Sequence, residues 1–353
     1  MNRFLLPFAL AFAVAPLSAQ QPAGDLLFAR FERYLEALRL QAGIPGLSAA
    51  IIGPAETAWE RSFGLENVER AMAARPDTPF HLDGLTQMFT ATLVLRCAEE
   101  GRLDLNAPVG RFAEGLPEPD ATIAQVLSHT VPTPTGAVYA FRPDRLEWLV
   151  PAVQACTGDS FRGSLAGLLE RLAMIDAVPG PDAVTLLAPV QGSPATPAVE
   201  RFTSALSRLA TSYLVEGPGR ASPVEHPAFT LGASGGLLAS VRDLARFDLA
   251  LKSGVLLTSE TLAVAWSPPP GAGPQPLPHG LGWFVQTFNG QKVVWQFGVM
   301  PGASSSLVVM VPARGLTLVL LANSDGLALS FPLAAGDVTV SPFARSFLGL
   351  VLP

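Results

Sequence analysis

Thr78-Pro79-Phe80-His81-Leu82-Asp83-Gly84-Leu85-Thr86-Gln87-Met88-Phe89-Thr90-Ala91 opens the segment on which the reading of this chain turns. Its apolar spacing predicts a long helix from Pro79 to Gly101, ended by the glycine, with Leu103-Asp104-Leu105-Asn106 leading away. Helices and proline-rich loops then alternate to about residue 225. Upstream, Leu47 to Ile52 and Thr57 to Gly64 read as two strands around Gly53-Pro54-Ala55, a hairpin pattern. Before them, Leu26, Leu27, Phe31, Tyr34, Leu35 and Leu38 fall at helical spacing between Asp25 and Gln41, stopped by Gly43-Ile44-Pro45-Gly46. Towards the far end a helix beginning near Gly235 carries Asp243, Leu244, Phe247 and Leu251. Four strand-like runs follow it, Gly282 to Phe288, Lys292 to Phe297, Ser305 to Val311 and Leu316 to Ala322, with turns at Asn289-Gly290 and Ala313-Arg314-Gly315. Strands near both termini with helices between them imply one antiparallel sheet of the α+β class, assembled from the two ends and carrying an inserted helical lobe at about 75–225.

Bulk properties narrow the function classes. Asn2 and Arg3, the apolar run Phe4 to Ala15 and the small residues Ser18 and Ala19 read as a secretory signal over residues 1–19, leaving one enzyme-sized unit over 20–353. The run is too short to span a bilayer, which takes about 20 residues, so a cleaved signal and a periplasmic or extracellular protein without a membrane span are expected. The net charge is -6 and the 23 basic residues are scattered, which argues against a nucleic-acid partner. The four histidines are dispersed and no Cys/His cluster has ligand spacing, so neither a metal nor a cofactor is expected. Cys97 and Cys156 both sit in apolar helical patterns, and a disulfide and a pair of buried thiols stay equally open.

The opening stretch, with Glu100-Gly101-Arg102-Leu103-Asp104-Leu105 after it, resembles the nucleophile helix of the serine β-lactamase-related family, the branch holding class C β-lactamases, penicillin-binding proteins, D-aminopeptidases and esterases. The resemblance continues in order through Val126-Leu127-Ser128-His129-Thr130, Leu172-Ala173-Met174, Gly235-Gly236-Leu237, Arg242-Asp243-Leu244-Ala245-Arg246-Phe247, Gly280-Leu281-Gly282-Trp283, Pro301-Gly302 and Leu321-Ala322-Asn323. It implies a β-lactamase/transpeptidase-like fold and a serine acyl-transfer site made of three motifs. The first is a serine followed three residues later by a lysine on one helix face, the amine activating the hydroxyl. Gly84 and Gln87 stand there, and neither a hydrogen side chain nor an amide supplies that chemistry. The second is a Tyr-x-Asn loop, matched by Phe141-Arg142-Pro143; a two-residue slip brings Tyr139 to the tyrosine position and puts Phe141 in place of the amide. The third is a strand bearing Lys or His, then Ser or Thr, then Gly, matched by Gln296-Phe297-Gly298. Only that glycine survives, so no catalytic residue is expected at the family positions. A backbone oxyanion hole from the N–H groups of Gly84 and Val299 needs no side chain and is expected to persist.

Three other patterns offer reactive or binding groups. Gly232-Ala233-Ser234-Gly235-Gly236 matches G-x-S-x-G, which requires a strand before the serine and a helix after it; the resemblance makes this segment a glycine-rich structural turn instead. Ser128 and His129 are adjacent, and neighbours seldom face one another. Arg142, in the former Tyr-x-Asn loop, is a candidate anchor for an anionic ligand. The reading is therefore a noncatalytic exported protein whose remnant cleft, with Gly84, Gln87, Tyr139, Arg142, Gln296 and Val299 as candidate contacts, takes a small-molecule, peptide or cell-wall-like ligand, or a protein partner. The alternative is an active esterase, amidase or peptidase with a relocated nucleophile, Ser234 being the candidate.

Overall fold

The computed structural model describes residues 21–187, 196–217, 219–227 and 230–352, so the expected signal segment lies outside the described residues. Helix α1 (Gln21–Gln41) leads into strands β1 (Gly46–Ile52), β2 (Thr57–Asn67) and the two-residue β3 (Met72–Ala73). The lobe includes α2 (Thr86–Glu99), α3 (Val150–Thr157) and α4 (Phe161–Arg171), and α5 (Val241–Lys252) returns the chain to the sheet. Strands β4 (Phe284–Phe288), β5 (Gln291–Met300), β6 (Ser304–Val311) and β7 (Leu316–Ala322) follow, and α6 (Pro342–Val351) closes the fold. The sheet order is β4-β5-β6-β7-β1-β2-β3, and every pairing is antiparallel. The two termini are joined where β1 pairs with β7, Ala49 opposite Leu320.

Strand alternation feeds two cores. Leu307, Val309, Leu318 and Leu320 point to the face covered by α1 and α6, where they meet Phe31, Leu35, Phe343 and Phe347. Val308, Met310, Val319 and Leu321 point the other way, into a larger core shared with α2 and α5. That second face also carries a buried ion pair: Lys252 lies 2.6 Å from Asp248, and Thr317 donates to Asp248 at 2.8 Å, tying α5 to β7. Cys97 of α2 and Cys156 of α3 form a disulfide with their Cα atoms 6.2 Å apart, which resolves the choice left open by the sequence.

Three local expectations need correction. The segment from Pro79 is not helical from its start: Phe80–His81 is a strand paired with Leu238–Ala239, Asp83–Leu85 is a single 3-10 turn, and α2 begins at Thr86. Asp83 has φ of +47°, a left-handed conformation that interrupts a right-handed helix and that Asp tolerates better than most residues. The region read as helices and loops also holds two hairpins, Thr130–Thr133 with Gly136–Tyr139 and Ser212–Gly217 with Arg220–Val224. Pro132 and Pro223 hid them, because proline argues against a strand except in an edge ribbon of this kind. Finally, α5 starts at Val241 rather than Gly235, with Ser240 and Asp243 forming a reciprocal cap.

Candidate functional site

Gly84 is placed by contacts on both sides of it. Ser304 donates to Asp83 Oδ2 at 2.7 Å, His226 Nε2 lies 3.2 Å from Asp83 Oδ1, and Ser306 donates to the Leu82 carbonyl at 2.6 Å. These bonds lay the 3-10 turn directly on β5 and β6. A Cβ on Gly84 would stand 2.5 Å from the Phe297 carbonyl oxygen and 3.2 Å from Gly298 Cα. A Cβ on Gly298 would overlap the Leu82 carbonyl oxygen and stand 2.6 Å from Gly84 N. Backbone therefore occupies the space that any side chain at position 84 needs, and a hydroxyl there requires the strand to move.

The neighbouring groups are equally committed. Gln87 is buried on the first turn of α2, and its Oε1 lies 3.1 Å from His129 Nε2. The Arg142 backbone N–H donates to His129 Nδ1 at 3.2 Å, so Nδ1 is the acceptor and the ring proton sits on Nε2, facing Gln87. Burial, with Arg145 nearby, holds His129 down at about 3, so the ring is neutral and fixed at physiological pH. His279 packs edge-on to His129 at 4.7 Å, donates from Nδ1 to the Gly280 carbonyl at 2.8 Å, and is likewise held well below the usual histidine range by complete burial. Neither imidazole is available as a base.

A cleft of about 510 Å³ opens between this turn, β5 and the 230–236 loop. Gly84, Gln87, Phe141, Pro143, Phe297, Gly298, Val299 and Ser234 line it. Phe141 and Phe297 stack at 5.7 Å, making an aromatic wall where the resemblance implies tyrosine and a strand hydroxyl. Beyond Trp295, among the described residues no strand pairs with β5 on the β4 side, so its last residues turn that edge towards the Gly84 turn and the cleft. The Phe297 carbonyl faces Gly84, and the period-two alternation of strand backbone puts the Val299 N–H on that same edge.

Three expected contacts lie elsewhere. Tyr139 donates its hydroxyl to the Ala334 carbonyl at 2.9 Å and stacks on His279, behind the aromatic wall. The Arg142 side chain is exposed and turns to Asp144 at 2.9 Å, with Glu118 at 3.9 Å, so it is not an anion anchor of the cleft. Gln296 is fully buried and its amide is closed between the Gly282 carbonyl and the Phe297 N–H. Sequence reasoning passed over Glu147, Thr230, Leu231 and Met300, which line the cleft without belonging to any motif.

Ser234 lies in a bend, among the described residues no strand leads into it, and the Leu238–Ala239 strand rather than a helix follows, which does not match an elbow serine; its hydroxyl donates to Glu147 Oε1 at 3.0 Å. Ser128 donates to the Ala124 carbonyl at 2.7 Å, turned back along its own helix. Ser304, His226 and Asp83 form a Ser/His/Asp group, yet Ser304 is 1% exposed and both it and Asp83 bond the same imidazole nitrogen, Nε2. In a catalytic triad the carboxylate orients the ring from the nitrogen opposite the serine, so this group acts as a pin. Among the described residues no group of His, Cys, Asp and Glu has the arrangement of a metal site.

The β-lactamase family model matches residues 29–173 and 193–338 of this sequence, well over half of it. The chain belongs to the β-lactamase family. Among solved structures, the penicillin-binding protein homologue from Pyrococcus abyssi superposes with a TM-score of 0.69 at 20% identity, over 91% of this chain and 77% of that one. The class C β-lactamase from Rhodobacter sphaeroides gives 0.67 at 16%, over 92% and 99%. The D-amino acid amidase from Ochrobactrum anthropi SV3 gives 0.68 at 17%, also over 92% and 99%. At these identities the likeness is one of fold. In sequence, Protein flp of Staphylococcus aureus is 34% identical over 73 residues, 20% of this chain and 15% of its own length. The human serine β-lactamase-like protein LACTB is 26% identical over 112 residues, 30% of this chain and 20% of that protein. The aligned segments thus span a fifth or less of these relatives' own length.

Proposed function

We propose that this member of the β-lactamase family is a noncatalytic binding protein whose cleft holds a small-molecule, peptide or cell-wall-like ligand without turning it over. One observation carries the reading: the turn at Leu82–Gly84 and strand β5 touch backbone to backbone, so the nucleophile's position is filled by main chain as well as changed in sequence. The absent lysine supports it, since Lys252 and Lys292 lie by the α5 end of the sheet, outside the cleft. Export to a periplasmic or extracellular compartment accompanies the reading, and the Cys97–Cys156 disulfide favours an oxidising environment.

The hydrogen bond from Ser234 to Glu147 supports a second reading, in which a displaced serine works with a carboxylate base. Intact mass of the purified protein after a fluorophosphonate, and separately after a penicillin, separates the two. The noncatalytic reading expects no adduct from either reagent. A stoichiometric adduct that maps to Ser234, and is lost in both Ser234→Ala and Glu147→Gln, establishes the second.

A further inference from the structure

We infer that the cleft selects ligands carrying an ammonium group on an apolar body, such as the free amino terminus of a peptide with aromatic side chains, and rejects carboxylates. The inference rests on the reading of the cleft as a binding site and concerns the charge of what binds there.

The ionisable side chains lining the cleft are Asp83 and Glu147, both acidic; no Lys or Arg lines it among the described residues. Asp83 is inward-facing and its oxygens are taken by Ser304 and His226. Glu147 is different. It is exposed, forms no ion pair among the described residues, and is held still: Oε1 accepts from both the backbone N–H and the hydroxyl of Ser234, at 3.1 and 3.0 Å. Gly232 makes room for it, since a Cβ there would stand 2.6 Å from Glu147 Oε1. The result is a fixed carboxylate at the cleft wall with Oε2 left for a ligand.

Three arginines outside the lining are committed to other partners. Arg142 is engaged by Asp144 and Glu118, Arg145 is buried against Glu118 and the Thr130 carbonyl, and Arg162 is paired with Asp182 at 2.9 Å. Phe141 and Phe297, stacked on one another at 5.7 Å, line the same cleft and give it apolar surface for the body of a ligand. A cation reaching Glu147 thus gains a hydrogen-bonded ion pair in an otherwise apolar cleft. An anion in the same place meets two carboxylates and, among the described residues lining the cleft, no Lys or Arg. This is the reverse of a pocket lined by lysine or arginine that receives a carboxylate.

The test uses three matched probes and calorimetric titration of the full chain: phenylalanyl-phenylalanine amide, its N-acetylated neutral form, and N-acetyl-phenylalanyl-phenylalanine with a free carboxylate. The expected affinity order is cation, then neutral, then anion. Glu147→Gln is expected to weaken the cation by about fivefold, the size of one partly exposed ion pair, and to leave the neutral probe unchanged, which also shows that the variant is folded. The inference is overturned if the anion binds as tightly as the cation, if the cation has no advantage over the neutral probe, if the cation does not bind, or if Glu147→Gln weakens both alike. Mass analysis of the recovered probes keeps the two proposals apart. Cleavage of the amide would sink the noncatalytic reading and leave the charge preference standing.

Discussion

The two ends of strand β5 make an instructive pair. Its first half pairs with β4 and, from Val294, with β6 as well, and sends Val293 and Trp295 into the core under α1 and α6. Its last residues, Gln296 to Met300, leave β4 and lie against the turn that carries Gly84. The first half is held by apolar area, which tolerates exchange of one hydrophobe for another. The second is held by polar pins and two glycines in backbone contact, which tolerate almost nothing. The scaffold thus persists through a generic force, whereas the altered site persists through a few specific contacts.

Substitutions that separate these forces should differ in size. Phe347→Ala, which empties the core beneath the first half, is expected to cost about 3–5 kcal/mol in a urea titration. A result under about 1 kcal/mol would mean that α6 is only loosely docked. Replacing both Cys97 and Cys156 by Ser should cost about 2–4 kcal/mol, through a cross-link in the lobe that neither half of β5 touches. Gly84→Ser combined with Gln87→Lys restores the two side chains of the nucleophile helix, and is expected to cost about 1–3 kcal/mol while producing no penicillin adduct, because main chain holds the required space. A folded, acylated double variant would show that the β5 edge yields and that main chain does not bar a serine at position 84.

Acid offers a milder probe of the same region. His81 and His129 are both held down at about 3, chiefly by burial, below an ordinary value of 6.5. A histidine depressed in the folded state binds fewer protons there than when unfolded, so its stabilising contribution is full above about pH 6.5 and declines as pH falls towards 3. Asp243 works the other way: burial raises it to about 6, so it favours the folded state increasingly as pH drops from 6 towards 4. His279, held down by complete burial, acts with the other two rings, and Asp248, raised by burial, acts with Asp243. Three depressed histidines against two raised carboxylates predict a lower urea midpoint at pH 5 than at pH 7. An unchanged midpoint would mean that the rings reach solvent more readily than their burial implies. The smallest effect is expected from Tyr139→Phe, which loses one hydrogen bond to the Ala334 carbonyl, about 1 kcal/mol, and leaves probe affinity in the cleft unaltered. A large change in affinity would return Tyr139 to the site.

How far the sequence can be read follows from the reach of each signal. Period-two alternation in Ser305 to Val311 and Leu316 to Ala322 and the helical spacing of residues 25–41 are local patterns, and they located the central sheet and its first flanking helix. The ordered motifs also located Gly84, Gln87 and Gly298. Two kinds of element were misread: the turn at Asp83, whose positive φ is held by His226 and Ser304 far along the chain, and the local ribbons holding Pro132 and Pro223, because proline argues against a strand.

The family fold, the replaced serine and lysine, and the lack of a basic run were properties of residue order and type, determined by the sequence alone. The tertiary structure decided which side chains share the cleft. It turned Arg142 outward to Asp144, buried Gln296 with its amide on the Gly282 carbonyl, tied the Tyr139 hydroxyl to the Ala334 carbonyl, and brought Glu147 against Ser234 across 87 positions of chain. The reason is that a strand or loop fixes only the direction of each side chain, while the partner it finds depends on which distant segments folding packs beside it.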